Sequence, residues 1–121
     1  MEKKKTLVLG ASQNPARYSY LALKSLSAKS HPVIAIGKRK GKVDSIEIDT
    51  EQKPINDLDT ITLYLNANNQ KQYYDYILAL HPRRIIFNPG AENYELKTLA
   101  STNGIKIMEA CTLVLLSTGQ Y

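Results

Sequence analysis

The first turn of the sequence carries residue types that suit phosphate binding. The apolar residues 6–9 (TLVL) are followed by GASQNP at residues 10–15. Gly10 permits a tight turn, Ser12 offers a small side chain with a hydroxyl donor, and Pro15 suits the first turn of a helix. Unpaired N–H groups at a helix start favour an anion there. Only the first position matches the G-x-G-x-x-G pattern of dinucleotide-binding turns, so a compact strand-to-helix connection is the alternative interpretation.

A basic loop follows the second apolar run, VIAI at residues 33–36. It begins at Gly37 and continues with Lys38, Arg39 and Lys40. An NAD-binding domain needs an acid at this point to bind the ribose hydroxyls, whereas cations favour a phosphorylated ribose, as in NADP or the 3′-phosphate of coenzyme A. A charge-assisted hydrogen bond contributes about 1.5–3 kcal/mol, which can discriminate between ligands that differ by one phosphate. The alternative is a solvated loop without a ligand.

The charge distribution also indicates an anionic partner. The net charge is +5, and residues 1–42 contain ten Lys or Arg but one acid, whereas residues 44–59 contain six of the eleven acids. Nucleic acid is not expected as the partner, because the cations are divided between opposite ends of the predicted strands. No aromatic platform for bases accompanies residues 38–42 either. We therefore expect a small nucleotide cofactor.

No set of residues predicts a self-contained catalytic site. His31 and His81 each precede a proline in a turn that enters a strand, so we interpret both as structural or solvated. The single cysteine, Cys111, excludes a disulfide framework, has no partner at metal-ligand spacing and is expected to be buried. We therefore predict a binding module rather than an enzyme. An NADP-binding oxidoreductase or a minimal redox protein is the alternative.

Apolar periodicity predicts alternating strands and helices. The predicted strands span residues 6–9, 33–36, 61–65, 84–87 and 105–108, with a weak edge strand near 46–48; the predicted helices span residues 15–29, 69–80 and 92–102. Residues 111–116 are predicted as a short helix or an extended tail. This alternation is typical of α/β proteins, here one domain over residues 1–121. The expected fold is a three-layer, Rossmann-like, doubly wound and mostly parallel sheet of five to six strands.

Ligands of such sheets bind beyond the carboxyl ends of the strands. The candidate cofactor-binding residues at this edge are Gly10, Ala11, Ser12, Asn14, Pro15, Arg17, Gly37, Lys38, Arg39, Lys40, Asn66, Asn88, Pro89 and Gly90. No apolar run approaches the ~18 residues of a membrane span, and no signal peptide is evident. We therefore expect no membrane partner and a cytoplasmic location.

Four segments resemble the small coenzyme A-binding domain proteins. They are VLGAS at residues 8–12 with Asn14-Pro15 and Arg17, HPVI at 31–34, IIFNPGAEN at 85–93 and GIKIMEAC at 104–111. That family is similar to the nucleotide-binding N-terminal domain of the succinyl-CoA synthetase α subunit. The family usually has Asn-Pro and a basic residue after the second strand, where this chain reads Gly37-Lys38-Arg39. It also usually has a basic residue at Asn66.

The resemblance implies that the cofactor's phosphates lie over residues 10–12 and the helix start near Arg17. The adenosine end would lie near the loop after the second strand. In the synthetase, catalysis needs a phosphohistidine outside this domain and a partner subunit. The resemblance therefore implies a module that holds coenzyme A or an acyl-CoA and is not a complete ligase. A protein partner or a homo-oligomer is compatible with it.

Overall fold

The computed structural model describes residues 2–121, and its core is a seven-stranded sheet. In chain order the strands are β1 (Thr6–Leu9), β2 (Val33–Ile36), β3 (Gly41–Val43), β4 (Ile46–Asp49), β5 (Thr60–Leu63), β6 (Arg84–Phe87) and β7 (Lys106–Glu109). Their order across the sheet is β3-β4-β2-β1-β5-β6-β7. All neighbouring strands are parallel except β3, which is antiparallel to β4.

Helices cover both faces of the sheet. They are α1 (Tyr18–Ala28), α2 (Ala67–Gln70), α3 (Tyr74–Leu80), α4 (Tyr94–Thr102) and α5 (Thr112–Ser117), with one turn of 3-10 helix at Lys71–Tyr73 between α2 and α3. Ile77 and Leu96 pack in the core on one face, and Leu23 and Leu116 pack on the other. The predicted α/β, Rossmann-like, three-layer fold is confirmed. No helix within residues 2–121 is long and apolar enough to cross a membrane.

The central strands β1, β5 and β6 are buried at every position. Within β1, Leu7 and Leu9 face one core and Val8 faces the other, because successive side chains of a strand point to opposite faces. A strand covered by helices on both sides favours apolar or β-branched residues at nearly every position, and Arg84 at the start of β6 is the one charged exception in these three strands. This preference explains why the short apolar runs of β1, β5 and β6 predict buried strands.

The sheet has more strands than the five to six predicted. The additional strand is β3, which begins at Gly41, directly after the basic loop, and pairs with β4 through Val43 and Ile46. Asp44, at the tight turn between the strands, adopts a left-handed conformation with φ 54. Aspartate tolerates this conformation better than most residues, so a hairpin forms where the sequence predicted only a weak edge strand.

Helix α1 begins later than predicted, at Tyr18 instead of residue 15. Asn14 forms a turn before it: its side-chain oxygen accepts from Ala16 N at 3.0 Å, and its carbonyl accepts from Arg17 N at 3.0 Å. Pro15 therefore lies in this turn rather than in the helix. Neither Ser12 nor Asn14 caps the helix, whose cap position is Arg17 with no side-chain hydrogen bond.

Candidate functional site

A cleft of about 1160 Å³ opens beyond the carboxyl end of β1. The chain leaves β1 through α1 to β2 on one side, whereas β5 lies on the other side of β1, so the connections diverge above this strand. Such a switch point is where open α/β sheets bind ligands. Three groups of residues line the cleft: residues 10–19, residues 38–40, and an opposite wall of Tyr64, Leu65, Asn66, Asn69, Pro89, Gly90 and Ala91.

Gly10 allows the first turn to pass close to the end of β5. Its φ is +95, and a Cβ at this position would lie 2.8 Å from the carbonyl oxygen of Tyr64. The amides of Gly10 and Ala11 do not face a ligand, because both donate to the Ile36 carbonyl at 2.9 and 3.0 Å. These two residues shape the floor of the cleft instead of supplying donors to it.

The unpaired amides of the turn belong to four later residues. Among residues 2–121, the N–H groups of Ser12, Gln13, Tyr18 and Ser19 have no hydrogen-bond acceptor, and all four residues line the cleft. The first turn of α1 contains no acidic residue, so nothing within the turn neutralises its positive end. The Ser12 hydroxyl accepts from Asn14 N at 3.0 Å and keeps its own hydrogen for another acceptor. This arrangement can bind an anion.

The basic loop faces the same cleft. Lys38, Arg39 and Lys40 are exposed, line the cleft and form no ion pair with the acidic residues that the structure describes. Their positive charges are therefore available to a ligand rather than neutralised within the protein.

Contacts on either side of the basic loop connect it to β4 and to the first turn. Gly37 N donates to the Asp49 carbonyl at 2.9 Å, and Lys42 N donates to the Gln13 side chain at 3.2 Å. A Cβ on Gly37 would lie well within 3.0 Å of the Ala11 carbonyl oxygen, a distance that real Cβ atoms do not reach. The two loops are therefore in direct backbone contact.

A buried amide supports the opposite wall. Gln70 is fully buried, and its Nε2 donates to the carbonyl oxygens of Leu65 at 2.8 Å and Ala91 at 2.7 Å. Its Oε1 accepts from Asn93 Nδ2 at 2.8 Å. The sequence interpretation missed Gln70. The signal in the sequence was the spacing: Gln70 lies three residues before the inward-facing Tyr73, so the two side chains share one face of a helix. A polar side chain on that buried face needs hydrogen-bond partners.

The protein-family model described as 'CoA binding domain' matches residues 4–117 of this chain. The chain belongs to the CoA-binding domain family. The resemblance inferred from the sequence is thereby confirmed over most of the chain.

Solved structures share the architecture of this CoA-binding domain. A crystal structure of an uncharacterized protein is 47% identical, with a TM-score of 0.97 and coverage of 100% of both chains. A hypothetical protein from Pyrococcus horikoshii OT3 is 17% identical over 97% of this chain and 84% of its own, with a TM-score of 0.87. A Thermus thermophilus structure is also 17% identical, over 98% and 91%, with a TM-score of 0.86. The latter two show the fold alone. No curated protein matches the chain.

Twelve of the fourteen candidate residues line the cleft of the CoA-binding domain. The two outside the lining are Gly37, which packs beneath the first turn, and Asn88. Asn88 is buried; its Nδ2 donates to Thr62 Oγ1 at 2.7 Å and to the Leu63 carbonyl at 2.8 Å, and its Oδ1 accepts from Thr112 N at 2.9 Å. Its amide therefore connects β5 to the start of α5.

The remaining reactive side chains lie around the domain. His31 is buried at the opposite edge of the sheet, where its Nδ1 accepts from Lys4 N at 2.9 Å and burial, followed by the nearby lysines, lowers its pKa. His81 is exposed. Cys111 is only partly buried, at the start of α5 and outside the cleft lining. Tyr64 does line the cleft, but burial raises its pKa to about 12, so the phenol is neutral at physiological pH.

No metal centre is evident in the described part of the chain. Within residues 2–121, no three His, Cys, Asp or Glu side chains are close enough together to hold a metal ion.

Proposed function

We propose that this domain binds coenzyme A, or an acyl-CoA, in the cleft above β1. The observation that carries the proposal is that unpaired backbone amides and unpaired cations line the same cleft in a member of the CoA-binding domain family. Coenzyme A carries a pyrophosphate and, next to it, a phosphorylated ribose, so its two anionic groups match the unpaired amides and the cations of this cleft.

The amides of Ser12 and Gln13 and the first turn of α1 suit the pyrophosphate. They are donors without acceptors at the positive end of a helix, and each direct hydrogen bond to a charged oxygen contributes about 1.5–3 kcal/mol. Arg17 lines the cleft beside them and can add a charged donor.

Lys38, Arg39 and Lys40 suit the 3′-phosphate of coenzyme A. The contacts of Gly37 and Gln13 hold this loop against the first turn, so cations and amides can reach two ends of one nucleotide. NADP also has a phosphorylated ribose, and a direct comparison of the two cofactors discriminates between them. We infer that the domain acts as a binding module, serving as carrier, sensor or accessory subunit, and not as a complete ligase.

Thermal unfolding with added ligand tests the proposal. Coenzyme A at 100 times its dissociation constant should stabilise the fold by about 2.7 kcal/mol. Parallel titrations use acetyl-CoA, a long-chain acyl-CoA, NADP and NAD. An unchanged melting temperature with all CoA forms refutes the proposal, and a shift with NADP alone supports the oxidoreductase alternative.

A charge-reversal variant tests the role of the basic loop. The double variant Lys38→Glu with Arg39→Glu should weaken coenzyme A at least about tenfold more than dephospho-CoA, because only the former has the 3′-phosphate. The matched control is Lys71→Glu with Lys106→Glu, which makes the same change in net charge at exposed positions outside the cleft. Equal losses for the two ligands would show that the loop does not read the 3′-phosphate.

A further inference from the structure

The cleft is cationic at one end and uncharged at the other. Residues 38–40 and Arg17 contribute positive charge to the first end, whereas the opposite wall consists of residues 64–66, Asn69 and residues 89–91, none of which is ionised at neutral pH. Coenzyme A has the same division, because its nucleotide carries the phosphates and its pantetheine arm and thioester are neutral. The uncharged wall therefore suits the arm.

Two separate loops form this uncharged wall. One follows β5 and contains Leu65, and the other follows β6 and contains Ala91. A single side-chain nitrogen, Gln70 Nε2, donates to a carbonyl of each loop and so fixes the distance between them. Both hydrogen bonds are short, at 2.8 and 2.7 Å.

The orientation of the Gln70 amide is itself determined by neighbouring groups. Its Oε1 accepts from Asn93 Nδ2, which also donates to the Tyr74 hydroxyl at 2.8 Å. Asn93 in turn caps α4, because its Oδ1 accepts from Leu96 N at 3.1 Å. An amide flip at Gln70 would place its oxygen against two carbonyls, so the network permits one arrangement.

We propose that Gln70 is a positioning residue that shapes the part of the cleft for the ligand's uncharged arm, without contacting the nucleotide end. The inference rests on the proposed function, since it concerns how the same cleft holds coenzyme A. Without the Gln70 donors, the carbonyls of Leu65 and Ala91 lose their common partner and the two loops can separate. The first turn and residues 38–40 have no hydrogen bond to Gln70 and keep their geometry.

Calorimetric titration of Gln70→Met tests this inference. Methionine keeps approximately the same volume but has no amide. The two ligands are coenzyme A and adenosine 3′,5′-bisphosphate, which has the phosphorylated ribose but no arm. We expect Gln70→Met to weaken coenzyme A at least about tenfold and the bisphosphate less than about twofold. Asn68→Ala is the matched control, because Asn68 is an exposed amide on the same helical turn, outside the cleft lining.

A milder variant keeps the test decisive if Gln70→Met does not fold. Tyr74→Phe removes one acceptor of Asn93 and should also lower the affinity for coenzyme A more than that for the bisphosphate. The difference between the two ligands should be smaller than in Gln70→Met. Equal losses for both ligands, or no loss for either, would overturn the inference while the proposed function stands. Wild-type protein that binds neither ligand would overturn both.

Discussion

Replacing Gly37 by alanine tests the contact between the basic loop and the first turn. The added methyl group would meet the Ala11 carbonyl oxygen and would also lie 3.2 Å from the Ala11 carbonyl carbon and the Ile48 side chain. Because two of these three atoms belong to backbone, little can move aside without displacing a strand. Overpacking costs about 1–3 kcal/mol, and we expect the upper value, about 3 kcal/mol, here. At about 4 °C per kcal/mol, the melting temperature should fall by about 12 °C.

Gly104→Ala is the matched control for this variant. Gly104 has φ +77, but a Cβ there would meet nothing within 4 Å, so only backbone strain of about 1–2 kcal/mol opposes the substitution. Both variants should be compared by thermal unfolding with and without coenzyme A.

The response to coenzyme A separates the two variants further. Gly37→Ala displaces the first turn from the loop and should lower the affinity. A tenfold loss would reduce the ligand's stabilisation from about 2.7 to about 1.4 kcal/mol at the same concentration. Gly104→Ala should keep the full response. If Gly37→Ala has the same melting temperature as Gly104→Ala and responds fully to coenzyme A, the two loops do not depend on this contact.

Three further predictions concern buried polar groups. Arg84→Met should leave the free energy of unfolding, measured in urea, within about 1 kcal/mol of wild type or raise it, because Arg84 is a buried cation with an unpartnered Nη2 that an apolar side chain can replace. Asn88→Leu should lower the free energy of unfolding by at least about 2 kcal/mol, because Thr112 N and the Leu63 carbonyl lose their partner. A smaller loss would contradict the structural role of the Asn88 amide. The folded state holds the pKa of His31 below its ordinary 6.5, so the unfolded chain binds this proton more readily and stability should fall as the pH drops through 6.5. His31→Asn, which can still accept from Lys4 N, should flatten that part of the pH profile, and an unchanged slope would be the contrary result.

The sequence was sufficient to predict the fold class and the region of the cleft. Buried parallel strands have continuous apolar runs, so residues 6–9 and 33–36 were identified directly, and the turns after them contained Gly10 and Lys38. The location of the candidate cleft follows from topology once the strands are known. These predictions depended on local pattern alone.

The missed features depend on contacts between distant segments. The hairpin of β3 and β4 requires a left-handed conformation at Asp44. The same residues are equally typical of an ordinary loop, so the sequence alone does not predict the hairpin. The sequence did not show that the amides of Gly10 and Ala11 donate to the Ile36 carbonyl at the end of the neighbouring strand. Gln70 acts on two loops that lie about five and twenty-one residues away along the chain. No local pattern contains such information.

Gly37 and the three cations of the basic loop are the only residues between β2 and β3, and both strands belong to the same sheet. So short a connection has few alternative backbone conformations to lose when an anion arrives. The encounter with a phosphorylated ligand should therefore be governed by long-range attraction rather than by rearrangement of the chain. Its association rate should decline steeply with ionic strength, while the dissociation rate changes little.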